Sequence, residues 1–319
     1  MSTASMSASS RIEGRKHIVT KDEVIDRIRK LRKERKAVIL AHNYQIGEVQ
    51  DIADYTGDSL GLSQEAARSE AEVIVFCGVH FMAETAAILS PQKAVLLPDA
   101  GAGCPMADMI TAQELRDWKA GYPGRPVVCY VNTTAEVKAE SDICCTSSNA
   151  VKVVNSIPEE EILFVPDKNL AAYAARQTRK KIIAWDGYCY VHNQILTADV
   201  QARKKEHPKA EIWVHPECRP EVIDLADKVI STGFMVKAAR ETTAAEVLVG
   251  TEVGILHRLR KENPRTAFFP VKDLAFCSNM KKITLLKVRQ ALEEMRYRIE
   301  VPAVISRKAR GAIEKMITL

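Results

Sequence analysis

The sequence predicts an α/β protein of three homologous three-layer α/β/α domains, each with a short parallel sheet, in a pseudo-threefold arrangement around a central cavity. Three observations lead there. Apolar runs alternate with helical stretches along the 319 residues. The runs are unbroken by polar residues, as expected for parallel strands covered on both faces. Three series of polar or thiol residues also share one period of about 87 positions, the mark of an internal repeat.

Bulk composition fits this class. Hydrophobic residues make up 46% and charged residues 27%, ordinary for a globular chain with a substantial core. No run approaches about eighteen apolar residues, so no membrane span is expected. The start, MSTASMSASSRIEGR, is serine-rich without an apolar centre. It reads as a disordered tail rather than a secretory signal, and its IEGR matches a protease site used in tags. A cytoplasmic, reducing setting follows, in which the eight cysteines are not expected to form disulfides.

The elements follow in order. Residues 1–36 form the tail and a basic helix. Thr20 to Glu23, TKDE, is a capping box. Val24, Ile25, Ile28 and Leu31 then recur at helical spacing. Residues 1–36 hold 11 Lys/Arg against 5 Asp/Glu, a net +6, so the chain's +5 is local and the rest sums to −1. No aromatic residues interleave with these charges, which favours a solvated helix face over a nucleic-acid surface.

Residues 37–125 form the first α/β repeat. Its strands are expected at Ala37–Ala41, Val73–Cys77 and Ala94–Leu97, its helices at Glu48–Tyr55, Leu60–Ser69 and Phe81–Leu89. The turn-rich KAGYPGRP leads into repeat 2, residues 126–210, and KKEHPKAE leads into repeat 3, residues 211–298. Residues 299–319 are a C-terminal helical segment. The whole stretch Ile283–Leu319 reads as helical and is expected beside the N-terminal helix.

The period is carried by three marker series. The runs AVILAHNYQ, PVVCYVNTT and EIWVHPE end at His42, Tyr130 and His215, 88 and 85 positions apart. Ser59, Ser147 and Thr232 keep the same 88 and 85. Cys104, Cys189 and Cys277 follow at 85 and 88. In open parallel sheets, functional groups gather beyond the carboxyl ends of the strands. Three repeats packed about an axis bring those ends together.

Three thiols from three repeats suit a soft metal centre, and two kinds fit. Zinc would take three sulfurs and keep one position open. A cubane iron–sulfur cluster held by three cysteines would leave one iron free to act as a Lewis acid. The glycines before Cys104, and Gly187 before Cys189, favour the cluster by leaving room and offering N–H groups. Cys77 and Cys129 lie in strand runs and read as core. The adjacent Cys144 and Cys145 read as structural, and Cys218 follows Glu217 closely enough to lie near the site.

Ser59, Ser147 and Thr232 are expected at helix N-termini, where hydroxyl and N–H groups receive carboxylate or phosphate; plain N-capping is the bland alternative. Tyr44, His42, His215 and Glu217 are capable of acid–base work. His80, His192 and His257 have no repeat partner and read as hydrogen-bonded packing residues. The segment HNYQIGEVQ is one candidate lid.

Five stretches carry a family resemblance: ILAHNYQIGEVQDIADYTGDSL, GVHFMAETAAILSPQKAVLLPDAGAGC, CYVNTTAEVKAESDICCTSSNAV, WDGYCYVHNQ and VHPEC. Together they resemble the quinolinate synthases, and the similarity runs from about Ala37 through Cys277. The resemblance implies three homologous α/β/α domains and a [4Fe–4S] cluster held by Cys104, Cys189 and Cys277. It implies condensation of iminoaspartate with dihydroxyacetone phosphate to give quinolinate, phosphate and water, on the route to NAD. Substrate contacts would fall on His42, Ser59, Tyr130, Val131, Asn132, Ser147, His215, Pro216, Glu217 and Thr232. Tyr44 and Glu217 would transfer protons, and His215 would position or polarise the substrate. L-Aspartate oxidase is the usual companion enzyme. Some members carry extra cysteines after the third ligand; FCSNMKK does not, so a redox switch of that kind is not expected. The competing readings are a zinc-dependent lyase or hydrolase using the same thiols, and a non-enzymatic iron–sulfur sensor or nucleic-acid binder using the basic helix.

Overall fold

A computed structural model describes residues 20–319. The serine-rich tail and IEGR lie outside the described residues. Helix α1 (Lys21–Glu34) begins at the expected capping box: Thr20 Oγ1 accepts the Glu23 N–H at 3.3 Å, and Glu23 accepts the Thr20 N–H at 2.7 Å. Val24, Ile28 and Leu31 form its buried face.

Repeat 1 contains β1 (Ala37–His42), α2 (Gly47–Ile52), β2 (Tyr55–Gly57), α3 (Ser59–Arg68), β3 (Val73–Cys77), α4 (His80–Leu89) and β4 (Ala94–Leu96). Helix α5 (Ala112–Ala120) leads out of it. Repeat 2 contains β5 (Val127–Tyr130), α6 (Ala135–Ala139), β6 (Ile143–Cys145), α7 (Ala150–Ser156), β7 (Glu161–Val165), α8 (Lys168–Ala175) and β8 (Lys181–Ala184). Two helices follow, α9 (Tyr190–Asn193) and α10 (Thr197–Glu206). Repeat 3 contains β9 (Glu211–Val214), α11 (Pro220–Ile223), β10 (Lys228–Val229), α12 (Thr232–Glu241), β11 (Glu246–Gly250), α13 (Ile255–Glu262) and β12 (Ala267–Pro270). The chain closes with α14 (Leu285–Glu294) and α15 (Ala303–Thr318).

Each repeat folds into one four-stranded parallel sheet with the same order: β2-β1-β3-β4, β6-β5-β7-β8 and β10-β9-β11-β12. The register repeats too. Ala41 pairs with Cys77, Cys129 with Val165 and Val214 with Gly250, which preserves the 88 and 85 offsets in three dimensions. The chain reverses direction across the sheet between the two central strands of each order. The crevice beyond their carboxyl ends is the usual ligand position in such sheets.

Four strands per sheet, rather than the expected three in repeat 1, is a correction. The helix expected over Glu48–Tyr55 ends at Ile52, and Tyr55 enters the edge strand β2. An aspartate seeds that strand. Asp54 Oδ2 accepts the Ile39 N–H at 2.9 Å while the Asp54 N–H donates to the Ile39 carbonyl. Asp142 clamps Val127 and Asp227 clamps Ile212 in the same way, each carboxylate accepting at 2.7 Å. Side-chain and backbone bonds together hold edge strands of only two or three residues.

The C-terminal expectation also changes. Helix α14 does pack on α1, where Arg27 pairs with Glu293 at 2.9 Å and Arg35 donates to the Leu292 and Glu293 carbonyls. An extended segment then interrupts the helix. Ile299 donates to Val95 and Tyr297 accepts from Leu97, extending the first sheet in antiparallel sense. Helix α15 crosses to repeat 2 and packs on α4, α6 and β6. None of the described helices is long and apolar enough to cross a membrane.

Candidate active site and metal centre

The strand ends of all three sheets face one cavity of about 710 Å³, mouth included. Repeat 1 contributes His42, Tyr44, Ser59 and Cys104. Repeat 2 contributes Tyr130, Asn132, Ser147 and Cys189. Repeat 3 contributes His215, Glu217, Thr232 and Cys277. Val131 and Pro216 are buried in the same loops and are not among the lining residues. Cys218 is buried as well, its thiol donating to the Gly250 carbonyl at 3.3 Å, and it does not line the cavity.

The three periodic cysteines share a local design. Each stands just before one helical turn: Ala107–Met109, α9, or Met280–Lys282. The carbonyls of Cys104, Cys189 and Cys277 accept the N–H groups of Ala107, Asn193 and Lys281 at 2.9, 2.9 and 3.2 Å, which ties each cysteine to the turn that follows it. The Tyr190 hydroxyl, beside Cys277, accepts the Ser278 N–H at 3.2 Å and lies 3.4 Å from Ser278 Oγ. Burial, with the charges of Cys277 and Glu217, pushes the Cys104 thiol up to about 12. Burial, Glu217 and Cys104 push Cys189 well above the ordinary thiol range. Such crowded thiols ionise when a cation compensates them. A Cβ placed on Gly103 would meet nothing within 4 Å, so there is free space beside Cys104. One thiol per repeat on a loop pinned through its own carbonyl, with space beside Cys104, fits a thiolate-bound metal centre.

The other glycines act differently from the expectation. A Cβ on Gly187 would lie 2.4 Å from the Pro166 carbonyl oxygen. Gly187 therefore serves a close backbone approach and makes no room for a ligand. The Gly101 and Gly103 N–H groups are spent on Asp99 and the Gly101 carbonyl.

His42 and His215 are fixed alike. The N–H two residues on, from Tyr44 or Glu217, donates to Nδ1 at 3.2 and 3.3 Å. In His42 that leaves Nε2 carrying the proton. In His215, Nδ1 also lies 3.1 Å from Glu217 Oε2, and Nε2 lies 3.1 Å from Ser147 Oγ. Burial, then the neighbouring His215 and Lys281, lowers His42 to about 3. Burial and His192 lower His215 as well. Both rings are neutral near pH 7.

The hydroxyls expected to receive anions are not helix caps. Asp58 caps α3 by accepting the Gly61 N–H at 2.9 Å, and Ser231 is the N-cap position of α12. Ser59 and Thr232 come one residue later, in the first helical turn, and Ser147 lies in the turn before α7. Ser148 joins the repeats behind them, donating to Asp58 and lying 2.8 Å from Ser231 Oγ. HNYQIGEVQ is packed: Gln50 donates to the carbonyls of Asn43, Gln45 and Gly254, an arrangement unlike a free lid.

Sequence reasoning missed four residues. His192 was read as packing, yet it lines the cavity and stacks on His215 with ring centroids 4.5 Å apart. Its Nδ1 lies 3.0 Å from Glu217 Oε2, and its Nε2 lies 2.8 Å from Thr251 Oγ1. Thr251 in turn lies 2.6 Å from the Tyr44 hydroxyl. Burial and the Glu217 charge push the Tyr44 phenol well up, so it holds its proton. Burial acts to raise Glu217 too, but the imidazoles of His192 and His215 outweigh it and keep Glu217 a carboxylate. The other two are fully buried carboxyl groups that hold the cysteine loops. Asp167 accepts the Cys189 N–H at 3.1 Å, and Glu252 accepts that of Cys277 at 2.9 Å. They are 85 positions apart, in register with the repeat.

Comparison with known proteins gives one consistent result. The family model described as quinolinate synthetase A protein matches residues 26–318. A quinolinate synthase of Dehalococcoides mccartyi is 61% identical over 91% of this chain and 96% of its own length. Those of Methanoregula boonei and Desulforudis audaxviator are 57% and 56% identical, over 92% and 93% of this chain and 97% and 99% of their own.

Proposed function

This chain belongs to the quinolinate synthase family and forms quinolinate for NAD biosynthesis, and we propose that it does so by condensing iminoaspartate with dihydroxyacetone phosphate in the three-repeat cavity. The observation that carries this reading is the convergence of donors from all three repeats on one space. Two carboxylates and a phosphate need several separate receptors. Ser59, Ser147 and Thr232 supply hydroxyls near helix N-termini, and neutral His42 and His215 supply N–H donors. Tyr130 and Asn132 complete the wall, with Asn132 Oδ1 buried and unpartnered.

In this reading Cys104, Cys189 and Cys277 hold a [4Fe–4S] cluster. When bound, the cluster supplies a Lewis-acidic iron for a substrate oxygen. The protein's own groups manage the protons. Tyr44 keeps its phenolic proton and is placed to donate it to a departing oxygen. Glu217 is a carboxylate and is placed to accept one from carbon or nitrogen as the ring forms. His215 positions the substrate beside Ser147, which its Nε2 meets at 3.1 Å. The overall condensation releases phosphate and two waters with no net change of oxidation state.

Further parts of the reading are that the enzyme works in the cytoplasm and that L-aspartate oxidase supplies the unstable imine. The domain limits proposed are 37–125, 126–210 and 211–298, with 1–36 and 299–319 as flanking segments. The test is anaerobic turnover with both substrates, followed by formation of the pyridine product. Protein carrying a full iron–sulfur complement yet forming no quinolinate would defeat the proposal.

A further inference from the structure

Cys189, His192 and Glu217 form a second grouping inside the cavity. One ligand-type atom from each lies within 4.8 Å of the others. His192 is 1% exposed and Glu217 is 3% exposed. Even so, Glu217 Oε1 has no hydrogen-bond partner, and His192 Nδ1 faces the other carboxylate oxygen, 3.0 Å away. A buried carboxylate oxygen without a partner is costly, and beside a thiol and an imidazole it marks a place for a cation. On the far side of the ring, Thr251 Oγ1 fixes His192 Nε2 at 2.8 Å and so turns Nδ1 towards the thiol and the carboxylate. Metal-bound histidines are held in this way by a partner on the second nitrogen.

We propose that the cluster-free chain binds one zinc ion through Cys189, His192 and Glu217. Sulfur, nitrogen and oxygen donors together suit a borderline-soft ion. A thiolate and a carboxylate balance its double charge, and the thiol proton leaves to solvent. Tetrahedral zinc would draw the donor atoms to roughly 3.3–3.8 Å from one another and keep a fourth position for water. The zinc form takes Cys189 away from any cluster and Glu217 away from substrate. It is therefore an inactive state that competes with cluster assembly. The binding stands on the geometry alone; the competition rests on the proposed cofactor.

The test uses the full chain, stripped of metal and kept reduced without oxygen. Titration with Co²⁺, then displacement by Zn²⁺, reports the site without any variant. One ion per chain is expected, with the visible bands of a four-coordinate ion and charge transfer from a single thiolate. Cys189→Ser should abolish that transfer band, while Cys104→Ser and Cys277→Ser should keep it. Thr251→Val should weaken Zn²⁺ binding about 10- to 100-fold, as loss of an orienting partner does. Bands reporting three thiolates, or equal loss in all three cysteine variants, would overturn the proposal, as would no binding at all. Zinc-loaded protein should also take up iron and sulfide more slowly than zinc-free protein. If zinc-free protein takes up no cluster, the proposed cofactor fails while the cobalt spectrum still judges the zinc site.

Discussion

Glu252 accepts the backbone N–H of Cys277 at 2.9 Å. The same carboxyl group pairs with Lys281 at 2.7 Å and receives the Gly254 N–H at 2.7 Å. Asp167 plays this part for Cys189 and also caps α8 through the Leu170 N–H. Asp167→Ala or Glu252→Ala would strand buried N–H groups, at a cost of about 1–3 kcal/mol for each group left unpaired. The expected outcome is a lower denaturant midpoint and less iron per chain after reconstitution. Unchanged iron content in both variants would remove their role in holding the cysteine loops.

Gly187→Ala tests the same loop by steric means. Its Cβ would meet the Pro166 carbonyl at 2.4 Å, so the backbone before Cys189 must shift. A loss of about 2 kcal/mol or more in urea unfolding is expected, together with poorer metal uptake.

Tyr44→Phe removes the hydroxyl that Thr251 and His192 hold. Acid–base groups contribute roughly 10²- to 10⁴-fold, so kcat should fall within that range while substrate binding stays near that of the parent. Steady-state kinetics under anaerobic conditions separate the two. An unchanged kcat would assign the proton transfer elsewhere.

The lowered pKa of His42 gives stability a defined pH dependence. Its folded value is about 3, against about 6.5 for an unperturbed imidazole. Between these values the unfolded chain binds a proton that the folded chain refuses. Stability from this group is thus complete above about pH 6.5 and falls as pH drops towards 3. Roughly 2 kcal/mol should disappear between pH 6.5 and 5. Urea midpoints across that range should slope less in His42→Gln.

The cysteines should divide into two classes. Serine at Cys104, Cys189 or Cys277 should lower bound iron and abolish quinolinate formation. Cys145 is fully buried in β6 and faces no ligand space, so Cys145→Ala should cost about 1 kcal/mol of stability and leave iron content unchanged. Iron and acid-labile sulfide per chain measure the difference.

The threefold architecture was legible because three copies of one pattern carry markers that single residues do not. Cys104, Cys189 and Cys277 stood out by spacing alone. His192 did not, because its counterparts three residues after the other cysteines are Ala107 and Met280. Thr251 corresponds to Gly78 and Pro166, which share no chemistry with it. Asp167 and Glu252 correspond to Val79, which breaks their series. The aspartates Asp54, Asp142 and Asp227 were a complete series at 88 and 85 and could have been found. They escaped because the strands they seed are too short to show an apolar run. Helix ends shifted for a related reason: α2 stops where the chain must turn to reach its edge strand.

The shared strand order and register have a consequence for how such a pocket can change. In a symmetric trimer of one repeat, any substitution at a corner would appear at all three corners at once. Joined end to end in one polypeptide, each corner mutates by itself. His42, Tyr130 and His215 occupy matching places with differing chemistry, as do Val79, Asp167 and Glu252. An asymmetric substrate can then meet three unlike walls while the scaffold beneath keeps its triplicate plan.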